Sequence, residues 1–434
     1  MRVSLITVVL SLLSLPVFSA AKIESWQTMQ GSSVFYVQTK GLPMVDIRVV
    51  FDAGSARDET QAGIASLTSA LLDTGAGEWD ADEIAKRFES VGAQFGSGVS
   101  SDMAWVSLRS LTEEKLLNKA LQTIQVILSN PAFDGTDFQR EKKRTLAGLK
   151  HREESPGQIA SMAFYNALYM GHPYAHPSSG YVETVNSFAV DDIKKFFKQY
   201  YVASNAMVVI VGDIEKQQAM TIAKSLLSGL EVGIKPSPIA ELKMSGKGET
   251  KHIEFPSSQT HVLAGMVGMH RKDKDYMSLY MGNHILGGSG LVSQLSKEVR
   301  EKRGLAYSAY SYFSPLLREG PFTMGLQTRN DQTSEAVEVM LNTLKAFIEK
   351  GPTKKELLAS KKNITGGFAM RFDTNRKLTS YVSMIGFYQL PLDYLEVFQQ
   401  KVEAVTVESI KDAFKRRVKP ENIHTITVGG NTGT

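Results

Sequence analysis

Two apolar periods alternate along this chain. Residues 45–51 (Val-Asp-Ile-Arg-Val-Val-Phe) and 104–109 (Ala-Trp-Val-Ser-Leu-Arg) are rich in β-branched and aromatic side chains and predict strands. Between them, Asp80 with Glu83 three residues on predicts a helix start. Ile84, Phe88 and Val91 recur at helical spacing, and Gly92 is placed to stop the helix. Leu117, Leu121, Ile124 and Leu128 predict a second amphipathic helix, ended by Pro131. Residues 207–211 (Met-Val-Val-Ile-Val) read as a buried strand. Further on, a glycine turn at 287–290 leads into a predicted helix with Leu291, Leu295 and Val299 on one stripe. Gly304 stops it, and a strand follows over 305–313. Strand pairs, long helices and a closing strand imply an α+β fold, a mainly antiparallel sheet with helices packed on one face.

The pattern occurs twice. The pairs Val185/Val402, Val190/Val407, Ile193/Ile410, Asn205/Asn422 and Gly212/Gly429 are all 217 residues apart. A register kept through helix, loop and strand marks a duplication. A stretch with no sustained apolar period, stiffened by Pro236 and Pro238, separates the copies. The organisation read from this is 22–232, a linker over 233–249, and 250–434.

The first 21 residues change the picture. Arg2, an apolar run from Val3 to Phe18 and the small residues Ser19, Ala20 and Ala21 form a secretory signal, too short for a membrane span. The expectation is a soluble protein exported to the periplasm or beyond. No later segment reaches the roughly 20 apolar residues of a spanning helix. With no cysteine, disulfides and thiolate metal sites are excluded. The net charge of +4 falls to +3 when Arg2 leaves, and the short basic runs at 142–144 and 415–417 sit among acids, so nucleic-acid binding is not implied.

Candidate chemistry is concentrated in the second half. Arg300 on the last helical turn and Tyr307 on the following strand can converge across the corner at Gly304, an arrangement suited to a peptide carbonyl or its oxyanion. The same residues also allow Arg300 simply to cap its helix and Tyr307 to pack. His172 and His176, flanked by Pro173 and Pro177 and with no carboxylate close by in sequence, read as loop residues rather than metal ligands. No nucleophile elbow is present, and the loop 287–290 lacks a P-loop lysine.

The stretch Leu286-Gly287-Gly288-Ser289-Gly290, followed by Glu298-Val299-Arg300-Glu301-Lys302-Arg303-Gly304-Leu305-Ala306-Tyr307, resembles the second-domain signature of insulinase/pitrilysin-type zinc metallopeptidases. That family includes mitochondrial processing peptidase and the core proteins of the respiratory bc1 complex. The likeness spans nearly all of the chain beyond the signal. It implies two homologous domains forming half of a clamshell. Arg300 and Tyr307 would bind substrate near the scissile carbonyl, with Gly287, Gly288, Ser289 and Gly290 in the substrate-binding turn. It also implies an inverted zinc motif, His-x-x-Glu-His, in the first domain. The frame fits as far as Gly63, Ile64 and Ala65, but Ser66, Ser69 and Ala70 stand where the two histidines and the glutamate belong. A third ligand, a later glutamate, would fall on Ala147 or Gly148. None of these can bind zinc or act as base. Residues 92–108 resemble the family's edge strand, to which an extended peptide adds, although an ordinary sheet strand fits them equally.

The expectation from the resemblance is therefore a non-zinc subunit of a heterodimeric metallopeptidase. It would carry no metal itself, help to enclose peptide, and supply Arg300 and Tyr307 to a zinc-bearing partner. Pairing with itself stays open. A non-catalytic structural or peptide-binding role on the same fold is the alternative. A free-standing hydrolase with an unrecognised site is the third reading.

Overall fold

The computed structural model describes residues 22–242 and 246–430. The signal read over 1–21 lies outside the described residues. In chain order the first half contains β1 (Glu24–Gln27), β2 (Ser33–Gln38), β3 (Met44–Phe51), α1 (Ile64–Ala70), β4 (Gly75–Ala76), β5 (Trp79–Asp80), α2 (Ala81–Glu89), β6 (Gln94–Val99), β7 (Ala104–Leu111), α3 (Glu114–Ser129), α4 (Gly135–Glu153), α5 (Pro156–Tyr169), α6 (Val182–Ser187), α7 (Val190–Tyr200), β8 (Ala206–Gly212) and α8 (Lys216–Ser228). The second contains β9 (Thr250–Glu254), β10 (Gln259–Met269), α9 (Tyr276–Asn283), β11 (Ala306–Phe313), β12 (Gly320–Arg329), α10 (Thr333–Lys350), α11 (Lys354–Gly366), α12 (Asn375–Phe387), α13 (Tyr394–Ala404), α14 (Val407–Arg417) and β13 (His424–Gly429).

The duplication is visible in the sheets. The first runs β1-β2-β8-β3-β7-β6 and the second β11-β12-β10-β13-β9. Set aside β1, and the orders correspond strand for strand. Each sheet has one parallel pair at the equivalent place, β2 with β8 and β9 with β13, and is otherwise antiparallel. Burial follows position. Every residue of the central strand β8 is buried, so its side chains are apolar on both faces, whereas β7, one strand from the edge, alternates along its length.

Helices cover more than the one face read from the sequence. Each sheet packs its own helices on one side. On the other side it receives a helix from the other half. Phe164 and Leu168 of α5 join Val267, Ile426 and Val428 of the second sheet in one cluster. Leu378, Val382 and Ile385 of α12 join Val37, Val50, Met207, Val209 and Val211 of the first. This exchange explains why those strands read as continuously apolar.

The linker is tied down from both sides. Arg57 Nη1 donates to the Ser237 carbonyl and Arg318 Nε to the Ile239 carbonyl, each at 2.7 Å. One predicted helix differs. The segment around Leu291 is a single 3-10 turn, Gly290–Val292, and a π-helix, Ser296–Glu301, follows. Ser293 interrupts them by accepting the Ser296 amide on its Oγ at 3.2 Å, so Leu291 stays 60% exposed while Leu295 and Val299 are buried. No helix among the described residues is long and apolar enough to cross a membrane.

Candidate functional site

The helix on which the resemblance places zinc ligands is intact as a scaffold. Gly63 turns the chain with φ of 102°, and Asp58 holds the start of α1 by accepting the Gly63 and Ala65 amides at 2.7 and 3.0 Å. Burial pushes the Asp58 carboxyl up to about 8, against those two hydrogen bonds. The ligand positions themselves have other occupations. Ser66 Oγ donates to the Ser178 carbonyl at 2.6 Å, Ser69 is buried, and Ala70 offers only a methyl group to solvent. Ala147 and Gly148 lie exposed on α4, which packs against α1. These residues do not fit a zinc ion. Among the described residues no three His, Cys, Asp or Glu side chains are grouped to hold a metal.

Gly148 is not held by packing either. It sits inside a helix with nothing within 4 Å of the space a Cβ would take. Gly148→Ala is expected to stabilise the protein by about 0.5–1 kcal/mol, because the helix loses less backbone entropy on folding. Urea unfolding of the two proteins checks this.

The helix also abuts a free sheet edge. Among the described residues β6 pairs only with β7, and Ser97 on β6 donates its Oγ to the Ser69 carbonyl at 3.1 Å. The lost ligand positions thus border a strand whose outer backbone groups have no strand partner. Its glycine Gly98 is overlain by the Trp105 ring, 2.4 Å from where a Cβ would sit.

In the second half, Arg300 and Tyr307 neither cap nor pack. Tyr307 is 85% exposed, and Arg300 is exposed on the π-helix end. Glu298 is engaged by Lys302 at 2.6 Å and Arg303 at 2.9 Å, leaving Arg300 without an ion pair among the described residues. Gly304, at φ of 65°, turns the chain between the two. The strand carries a device that sequence reasoning alone does not reveal. Register shifts between Ala306, opposite Thr328, and Ala309, opposite Leu326, so Tyr307 and Ser308 bulge together opposite Gln327. Such a bulge re-aims side chains, and here it turns two successive residues to solvent. Beyond it Tyr310 and Tyr312 stack with centroids 5.9 Å apart. The alternation of 309–313 was the available signal for that pair.

In the glycine turn Gly287 is buried, whereas Gly288 and Gly290 are exposed. Gly287 lies against β11, where a Cβ would fall 2.4 Å from the Ser311 amide, and Gly290 takes φ of 64°. Gly288 borders Asn283, whose Oδ1 accepts from Ser311 Oγ at 2.7 Å, and Ser289 is half-buried. His172 accepts the Tyr174 amide at Nδ1 and faces the Ala240 carbonyl through Nε2 at 3.1 Å, which fixes a structural role. His176 is half-buried, with Nδ1 3.8 Å from Asp58 Oδ2.

Comparison with known proteins agrees with this geometry. The sequence matches the family Insulinase (Peptidase family M16) over residues 33–180 and the Peptidase M16 inactive domain over residues 187–364. An uncharacterised zinc protease of Bacillus subtilis, YmxG, is 29% identical over 345 residues, which is 77% of this chain and 81% of its own length. A protein of Helicobacter pylori described as a non-peptidase homolog is 26% identical over 388 residues, 88% of each chain. The crystal structure of a peptidase M16 inactive domain from Pseudomonas fluorescens superposes with a TM-score of 0.91 at 35% identity, covering 94% of this chain and 98% of that one. Two matched domains, a shared fold and serine and alanine at the ligand positions lead to one statement: this chain belongs to the insulinase family, peptidase family M16, as a member without the inverted zinc motif.

Proposed function

We propose that this M16 chain, non-catalytic by itself, is the non-zinc subunit of an exported two-chain metallopeptidase. It helps to enclose and bind unfolded peptide and lends Arg300 and Tyr307 to a zinc-bearing partner. One observation carries the reading: both side chains stand free and exposed beside a bulged edge strand, in a chain whose own ligand positions are Ser66, Ser69 and Ala70. An unpaired guanidinium and a phenol on a rigid corner suit the charge that develops on a peptide carbonyl attacked in the partner's site. The test mixes the chain with a homologue bearing the intact motif and follows cleavage of an unstructured peptide. Arg300→Ala and Tyr307→Phe are each expected to lower kcat/KM of the mixture by about a hundredfold. Unchanged activity in both variants would sink the proposal.

The free edge of β6 favours a second reading, peptide holding without cleavage. In that case the chain alone binds extended peptide, and no zinc-bearing partner co-purifies.

A further inference from the structure

The face of the first sheet that receives α12 is only partly covered. Antiparallel register places Arg48, Ser107 and Gly96 in one row across β3, β7 and β6, with Asp46, Arg109 and Gln94 in the next. Residues directly opposite share a face, so both rows look toward α12. Ser107 and Gly96 are small, which leaves a trough from Arg48 to the free edge of β6.

The charges in this trough do not balance. Asp46 is taken by Arg109, which grips it with two hydrogen bonds of 3.0 Å. Arg48 has no ion pair among the described residues. It is half-buried, its Nε is buried with no hydrogen-bond partner, and its guanidinium carbon lies 5.5 Å from the centroid of Trp105. Arg376, in the first turn of α12, reaches over to donate to Gln94 Oε1 at 2.7 Å and also lacks a carboxylate. Burial lowers the Arg48 pKa, Asp46 raises it in part, and the nearby Arg376 lowers it again. Three guanidiniums thus share one carboxylate, Asp46, which Arg109 binds directly and which Arg48 feels only at longer range. A buried donor left without a partner, as at Arg48 Nε, is costly for a fold that gains nothing from it.

We infer that this trough is a carboxylate subsite: when an extended peptide pairs along the free edge of β6, Arg48 and Arg376 bind an acidic side chain of that peptide. The inference rests on reading β6 as a peptide-accepting edge. Main-chain pairing there is indifferent to sequence, whereas the arginine pair selects for charge, because a guanidinium presents its donors in the fork that a carboxylate accepts. Trp105 forms the apolar wall and keeps the Arg48 head group in place by a cation–π contact.

Three dye-labelled unstructured peptides test this by fluorescence anisotropy with the chain on its own. One carries an internal glutamate and an amidated C-terminus. The second has glutamine at that position and the same amide. The third has glutamine and a free C-terminal acid. The glutamate peptide is expected to bind at least about tenfold more tightly than its glutamine amide counterpart. Arg376→Gln, at an exposed position, is expected to remove most of that preference. Arg48→Gln should do the same. Equal affinities, binding of neither peptide, or discrimination that survives the double variant overturns the inference. So does tight binding of the free-acid peptide alone, which would assign the arginines to a chain terminus. No zinc-bearing partner enters this measurement. A chain that discriminates the peptides but adds nothing to a partner's cleavage therefore keeps the subsite and loses the two-chain reading.

Discussion

Asp102→Ala is expected to lower the free energy of unfolding by about 3 kcal/mol and to expose the linker between the halves to protease. Asp102 sits in the tight turn between β6 and β7, wholly buried, and accepts three hydrogen bonds from three parts of the chain. Tyr174 of the first half donates at 2.5 Å. Tyr388, just past the end of α12, donates at 2.9 Å, and so does the Leu317 amide, from the turn between β11 and β12. The Tyr174 hydroxyl in turn accepts the Arg318 amide, and the Arg271 guanidinium lies over the Tyr388 ring. One carboxylate therefore joins both halves at a dry point. Burial pushes it above the usual carboxylate range, while the bonds from Tyr174, Leu317 and Tyr388 pull the other way.

Removal of the side chain strands a buried amide and two phenols, each costing about 1–3 kcal/mol, partly offset because the buried charge disappears too. Asp102→Asn keeps one acceptor and should cost about half as much. Urea unfolding gives the energies, and the rate of cleavage within 229–249 tests the joint between halves. If both variants unfold and resist protease as the wild type does, Asp102 does not hold the halves together.

Substitution at the helix exchange should be at least as severe. Gly265 on β10 admits Phe164 of α5: a Cβ there would lie 2.0 Å from the Phe322 carbonyl oxygen and 2.8 Å from the Phe164 ring. Gly386 on α12 admits Phe35 and Met207 of the first sheet, with both 2.6 Å from its Cβ position. Backbone cannot step aside in a central strand, so Gly265→Val is expected to cost about 3 kcal/mol or more, or to prevent folding. Gly386→Val meets the ends of side chains, which can rotate, and should cost about 1–3 kcal/mol. Soluble yield and urea midpoints measure both. A Gly265→Val protein with the wild-type midpoint would show that α5 does not need this close approach.

Much of the fold is legible in the residues. Strands over 45–51 and 104–109 lie within the observed β3 and β7, and the stop at Gly92 coincides with φ of 63°. These are local preferences, which survive in any context. The helix through Leu291 was not legible, because the Ser293 hydroxyl competes for the Ser296 amide and breaks the run. The covering of the second sheet face was not legible either. Apolar residues on both sides of β8 say that something packs there, but not that it comes from α12, more than 150 residues downstream.

The candidate site divides the same way. Sequence by itself determined the duplication, the likeness to the insulinase family and the loss of the zinc ligands, because each depends only on which side chain stands at which position. Serine and alanine cannot bind zinc in any fold. Tertiary structure alone decided that Arg300 and Tyr307 are free rather than capping and packing, since that turns on Glu298 being taken by Lys302 and Arg303 and on a bulge set by register with β12. It alone brought Arg48 and Arg376 close together, with the nearby Asp46 bound to Arg109. Whether a charge has a partner is a property of distance, and distances between residues hundreds of positions apart exist only once the chain has folded.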